Sequence, residues 1–230
     1  MSTPRPLSAA RPTAPAAIRR FTGAQRLLHL VLAVTFLGML WTGLCLWSPA
    51  LAEVMNRPLA KQWHFYFAIA LGIAFVLTLV LRPRDIRAFA REVDSLDRAD
   101  RAWLRGGPRR LFNPVGAPAQ GWLNAGQKLN TAITIGLLVV LALTGILLWL
   151  GERNNALRFS GTIDVHDLAT ILIVVLVCGH LYLAVFNPAT RASLRGMTTG
   201  TVDREWARMH HERWVEETEA TTRDDDAASS

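Results

Sequence analysis

The chain has 230 residues, of which 51% are hydrophobic and 19% charged, with a formal net charge of +7. The apolar residues gather in four blocks, at 27–47, 63–81, 129–150 and 166–186, and nothing outside them could form a separate large core. That excludes a soluble enzyme and leaves an all-α membrane protein, because each block has the roughly 20-residue length that crosses a bilayer and helices satisfy their own backbone in lipid.

Residues 1–20 are rich in Pro, Ala and Arg and lack an apolar run, so they read as a disordered tail and not as a cleaved signal peptide. The first block carries His29 three residues after Arg26 and closes with Thr42-Gly43 and Trp47. The second opens with His64 inside Trp63-His64-Phe65-Tyr66 and stops at Arg82-Pro83. In the connection 82–128, residues 85–104 have the spacing of an amphipathic helix, with Ile86, Phe89, Ala90, Val93, Leu96 and Trp103 set against many charges. A helix lying on the membrane surface is expected there. Gly and Pro across 106–121 predict a loop. The third block follows Asn124-Ala125-Gly126-Gln127-Lys128. The fourth is ended by Asn187-Pro188. A short helix is expected over 202–217, with His210 and His211 as surface residues, and the final RDDDAASS reads as disordered.

Lys and Arg sort by side. Twenty-one of them lie in the N-terminal tail, the 82–128 connection and the segment after Phe186, and four lie in the connections 48–62 and 151–165. The positive-inside rule then places both termini and the long connection in the cytoplasm. Topology accounts for the basicity without nucleic acid. Cys45 and Cys178 fall near opposite membrane surfaces, too far apart for a disulfide, so packing is the expected role of both. No C-x-x-C-H occurs, which excludes covalent haem attachment by that motif.

Histidines are the scarce polar residues of the spans. His166 and His180 stand fourteen residues apart on one helix, nearly four turns, so both leave the same face about 21 Å apart. An offset of 102 residues maps Gln25-Arg26-Leu27 onto Gln127-Lys128-Leu129, Thr42-Gly43-Leu44 onto Thr144-Gly145-Ile146, Trp47 onto Trp149 and His64 onto His166. This predicts a four-helix bundle with a parallel two-fold internal repeat. His64 and His166 then pair at the outer side, and His29 with His180 at the inner side. Each pair suits the axial ligands of a haem iron. Gly43 and Gly145 either let a flat macrocycle approach the backbone or allow close helix packing. The alternatives are hydrogen bonding across the bundle and a metal or proton transporter. Zinc usually takes three or four protein ligands at one place, and each depth offers two histidines.

RFTGAQRLLH, the TGL–LW ending, the His that opens the second span, NAGQK, the H-x13-H span and SLRGMTTGTVDREWARMHHERWVEE together resemble the gamma subunit of membrane-bound formate dehydrogenase. The resemblance covers nearly the whole chain after residue 20, and NAGQK and the segment after the membrane are its most specific parts. It implies a cytochrome b subunit in the bacterial inner membrane with two haem b groups held by His29, His64, His166 and His180. It implies electrons arriving from a periplasmic iron–sulfur beta subunit, formate oxidation by a molybdenum or tungsten pterin alpha subunit, and quinone (menaquinone or ubiquinone) reduced near the cytoplasm. It carries the quinone role onto Asn124, Gly126 and Gln127. A thiosulfate or polysulfide reductase cytochrome subunit shares the helix pattern. The residues add one argument. The offset of 102 gives Thr131 and Thr78 where a second inner histidine pair would stand, leaving a vacated place beside which the amides of Asn124 and Gln127 can bind a quinone carbonyl or hydroxyl. Asn124 as a helix cap is the competing reading.

Overall fold

The computed structural model describes residues 16–229. Four helices are long and apolar enough to cross a membrane: α1 (Gly23–Trp47), α3 (Arg57–Leu81), α7 (Ala125–Gly151) and α8 (Thr162–Leu181), the last prolonged by a π-helical turn to Phe186. Each starts some residues before its apolar block, and in α1, α3 and α7 a polar cap, not hydropathy, sets the first turn. In α1 the Gln25 N–H donates to Thr22 Oγ1 (3.2 Å) while the Thr22 N–H donates to Gln25 Oε1 (2.8 Å). In α7, Asn124 and Gln127 make the same reciprocal box at 2.9 and 3.0 Å. Such boxes satisfy two backbone donors that a helix start leaves orphaned. Asn56 caps α3 through the Leu59 N–H (3.0 Å). Gly161 precedes α8 with φ +81°, where a side chain would be strained.

The helices pair as two hairpins, α1 against α3 and α7 against α8. Gly38 admits the Phe67 ring, since a Cβ there would stand 2.6 Å from Phe67 Cζ. Thr35, Thr42 and Thr144 are buried with their hydroxyl protons given to carbonyls of their own helices. The faces turned away from the cleft between the hairpins carry exposed Val34, Val80, Leu143 and Leu172, which suits lipid as the surrounding solvent. Between the hairpins runs an open, mainly apolar cleft of about 3060 Å³.

One end of the bundle is covered by a small polar assembly. There β1 (Ala17–Arg19) pairs antiparallel with β2 (Thr201–Asp203), Ile18 opposite Val202. The helix α10 (Arg204–Ser229) packs on them, burying Ile18, Val202, Ala207 and Val215 beside Trp206 and Trp214. Residues 17–20, expected within a disordered tail, are therefore built in, and the Arg20 side chain is 6% exposed. Residues 1–15 of that tail lie outside the described residues. The expected amphipathic helix is two, α4 (Pro83–Asp94) and α5 (Arg98–Arg105), because Asp97 opens a new capping box with Asp100. The apolar face of α4 (Ile86, Phe89, Ala90 and Val93) lines the cleft, while Arg84, Arg87 and Arg91 stand exposed. The 106–121 loop contains one helical turn, α6 (Arg109–Phe112). At the other end of the bundle, a single turn, α2 (Pro49–Ala52), lies in the connection between α1 and α3. After α8, a further turn, α9 (Leu194–Thr198), leads into β2.

Three expectations near the C-terminus are corrected. The RDDD segment continues α10 to Ser229, held in part by the Arg223 side chain on the Glu219 carbonyl (3.2 Å); Ser230 lies outside the described residues. His211 is 1% exposed and not a surface residue. It sits at a kink in α10 (φ −144°, ψ 47°), where its Nδ1–H donates to the Gly121 carbonyl at 2.8 Å. His210 is half-buried, stacked on Trp206 with ring centres 4.5 Å apart. Tertiary packing of a Trp-rich helix, invisible to a hydropathy pattern, turned these two inward. Both cysteines are free; Cys45 is buried, whereas Cys178 is exposed and has no packing role.

Candidate functional site

Four histidines line the cleft. His29 of α1 and His180 of α8 have ring centres 6.4 Å apart, and His64 of α3 and His166 of α8 stand at 6.5 Å. Two imidazoles sharing one metal ion, each through a nitrogen at about 2 Å, place their ring centres roughly 6 Å apart. Both spacings are therefore compatible with bis-imidazole ligation, and the structure brings together the histidines that the sequence analysis set at equal depth. No group of three or more His, Cys, Asp or Glu able to hold a metal occurs among the described residues. A two-ligand site suits an ion whose remaining ligands come from a macrocycle, as in haem.

The tautomer of the second pair follows from its partners. Thr144 gives its hydroxyl proton to the Val140 carbonyl (2.7 Å), so its oxygen accepts from His166 Nδ1 at 2.8 Å. Thr42 likewise donates to the Gly38 carbonyl (2.8 Å) and accepts from His64 Nδ1 at 3.1 Å. The Met39 carbonyl, 2.9 Å from that same nitrogen, can only accept. Nδ1 thus carries the proton in both rings, and Nε2 is left with a lone pair for a metal. Gly43 and Gly145 make room for these imidazoles: a Cβ would lie 3.3 Å from His64 Cε1 and 3.6 Å from His166 Cε1. The glycines thus serve the approach of an imidazole ring. The role of the threonine hydroxyls escaped the sequence reading, although the signal was present in two Thr-Gly pairs, each with its Thr 22 residues before a histidine.

Asn124, Gly126 and Gln127 sit together at the start of α7 but face differently. Gln127 lines the cleft with Thr131 and Thr78. Asn124 lines a separate small cavity that also touches Arg110 and His210. Gly126 lies under Trp103, whose Cη2 a Cβ would meet at 2.8 Å. The adjacent Lys128 is buried; its ammonium donates to Asp100 Oδ2 and the Ser95 carbonyl, both at 2.9 Å, with Glu92 at 3.5 Å. This ion pair ties α4 and α5 to α7 and was not foreseen.

Arg20 closes the same end of the cleft. Its guanidinium lies 5.4 to 5.7 Å from the ring centres of Phe21, Trp206 and Trp214 and donates to the Trp122 carbonyl (3.0 Å). The Trp122 indole N–H donates back to the Arg20 carbonyl at 3.4 Å. Burial lowers the Arg20 pKa to about 10. Burial first, and the Arg20 charge second, hold the His211 imidazole well below its ordinary value.

A family model described as prokaryotic cytochrome b561 matches residues 20–200. Among curated proteins, the chain is similar to the formate dehydrogenase cytochrome b556(fdo) subunit of Escherichia coli K12, 25% identical over 89% of this chain and 95% of that protein. It is similar to the nitrate-inducible formate dehydrogenase cytochrome b556(Fdn) subunit of the same organism, 26% identical over 84% and 88%. The formate dehydrogenase cytochrome b556 subunit of Haemophilus influenzae is 28% identical over 87% and 82%. The likeness read from the motifs is met by these relatives.

Proposed function

The chain belongs to the prokaryotic cytochrome b561 family, which implies haem b, and on that premise we propose that it is the cytochrome b subunit of a respiratory formate dehydrogenase, with two haems and a quinone-reducing end. The observation that carries this reading is the pair of histidine pairs, at 6.4 and 6.5 Å, lining one continuous cleft. Haem b, when bound, supplies a one-electron carrier at each pair. His64 and His166 would hold the outer group and His29 and His180 the inner one, with His166 and His180 about 21 Å apart along the axis of α8.

Sidedness follows the charge count, with the termini and the 82–128 connection in the cytoplasm and the protein in the bacterial inner membrane. An iron–sulfur beta subunit docks at the short connections beside His64 and His166, and a molybdenum or tungsten pterin alpha subunit oxidises formate beyond it. The two halves are an internal repeat. In its support, at the offset of 102, Arg20 and Trp122 bond each other reciprocally, Thr22 and Asn124 open equal capping boxes, and Thr42-Gly43 and Thr144-Gly145 each receive a histidine. The quinone headgroup (menaquinone or ubiquinone) lies at Thr131 and Thr78, beside His29 and His180. Gln127, whose carbonyl oxygen is held by the Asn124 N–H, presents its amide N–H groups to a quinone oxygen. Asn124 fixes Gln127, and Gly126 lets Trp103 close the site from behind.

Reduced-minus-oxidised visible spectra test this reading. About two b-type haems per chain are expected, one for each axial pair. His64→Ala and His166→Ala remove one spectral component, and His29→Ala and His180→Ala remove the other. Loss of the same component in His29→Ala and His64→Ala, or a purified chain with no Soret band, would sink it.

A further inference from the structure

The two histidine pairs share a spacing but not a setting. At one, both imidazoles donate Nδ1–H: His166 to Thr144 Oγ1 at 2.8 Å, and His64 to Thr42 Oγ1 at 3.1 Å and the Met39 carbonyl at 2.9 Å. At the other, neither His29 nor His180 makes a ring hydrogen bond among the described residues. Thr42 is 1% exposed and Thr144 8% exposed, so both acceptors are fixed and dry. Each threonine is locked as an acceptor by the gift of its own proton one turn back, to Gly38 and Val140.

We propose that Thr42 and Thr144 are positioning residues that set the redox order of the two haems. By accepting Nδ1–H they hold the metal-facing Nε2 of His64 and His166 in place and make it more basic, which favours the ferric state and lowers that site's potential below the His29–His180 site. The physical basis is general. An outer hydrogen bond from a ligand imidazole fixes its tautomer and raises its donor strength, and hydrogen bonding around the axial ligands is one of the few levers on haem potential. Electrons entering beside His64 and His166 then run downhill toward His29 and His180. The direction is written into two hydroxyl groups of this chain. The inference rests on the two-haem reading above.

The test is a potentiometric titration of the purified chain, followed optically, on the wild type, Thr42→Val, Thr144→Val and the double variant, with Thr→Ser at both positions. Valine keeps the volume and removes the acceptor; serine keeps the acceptor. The component lost in His64→Ala is expected to move to more positive potential in each Val variant and further in the double. The other component stays in place, and both Ser variants titrate like the wild type. A Val variant that sheds the His64 component while the Ser variant keeps it also supports the hydroxyl's role. Two haems present with neither potential moved, a shift in the His29–His180 component instead, or equal losses in Val and Ser overturn this inference alone. A wild type with one haem overturns the two-haem reading and this inference together.

Discussion

At the end of the bundle carrying His64 and His166, each imidazole is held by a threonine and faces a glycine on the neighbouring helix of its own hairpin. At the end carrying His29 and His180, the rings have no such partners among the described residues, and fixed polar structure lies instead around the cleft mouth: the Lys128–Asp100 pair, the Asn124–Gln127 box and the Arg20 cage. One end fixes its two imidazoles by hydrogen bonds, with the exposed Lys61–Glu152 pair at its rim. The other leaves its imidazoles free of hydrogen bonds among the described residues and has Arg20, Gln25 and Gln127 lining the same cleft. On the function proposed above, the first arrangement serves a site that only passes electrons, and the second a site that also exchanges a substrate.

The largest way to break this contrast is through the ion pairs. Asp100→Ala leaves buried Lys128 with only the Ser95 carbonyl and the longer 3.5 Å approach to Glu92, and losing one partner of a buried pair costs about 3–5 kcal/mol. Lys61→Met, at the other end, removes an exposed pair with Glu152 (2.6 Å), worth at most about 1 kcal/mol. Thermal unfolding in detergent should rank Asp100→Ala far below Lys61→Met; equal midpoints would deny that the 82–128 connection is a fixed part of the site.

Gln127→Leu and Gln25→Leu sharpen the functional half of the contrast. Both glutamines close equal capping boxes and both line the cleft. If Gln127 alone meets the quinone, its variant slows quinol formation by about tenfold, the worth of one hydrogen bond of roughly 1–1.5 kcal/mol. Gln25→Leu loses only its cap. Both haems stay present and reducible in each. Equal rates in the two variants would move the quinone elsewhere.

Gly43→Ala and Gly145→Ala probe the ligand-holding end. The Cβ at position 43 would crowd His64 at 3.3 Å, whereas 3.6 Å at position 145 is ordinary contact. The Soret and α-bands of the His64 component should shift in Gly43→Ala and hardly in Gly145→Ala. The reverse order would contradict the seating of the imidazoles.

The smallest effect is on pH. His211 has a folded pKa well below its unfolded value of about 6.5, so the unfolded state binds the extra proton first. The stability from neutral His211 is full above that value and is lost as pH falls below it. Proteolysis of α10 should be faster at pH 5.5 than at 7.5, and His211→Gln should flatten that difference. No acceleration would mean that the Gly121 contact does not hold the helix.

The four spans, though not their first turns, and the closeness of His29 to His180 and of His64 to His166 were legible in the sequence. Hydropathy over about 20 residues and a helical repeat of 3.6 are one-dimensional properties that need no partner to act. The offset of 102 likewise brought out Thr42-Gly43 and Thr144-Gly145, though not the role of their hydroxyls. What only the tertiary structure decided depends on distant segments meeting. His211 became buried because Gly121, ninety residues earlier, supplied its acceptor. The disordered reading failed for Ile18 because Val202 offered a strand edge and a small core. Lys128 reads as a membrane-end cation until Asp100 and Ser95 arrive to desolvate it. The threonines acquired a chemical role when α3 and α8 brought imidazoles to oxygens whose protons their own helices had already taken. Local pattern fixes where a helix runs and which face it shows; which hydrogen bond a polar group makes is set by the geometry of its partners, and that exists only in the folded chain.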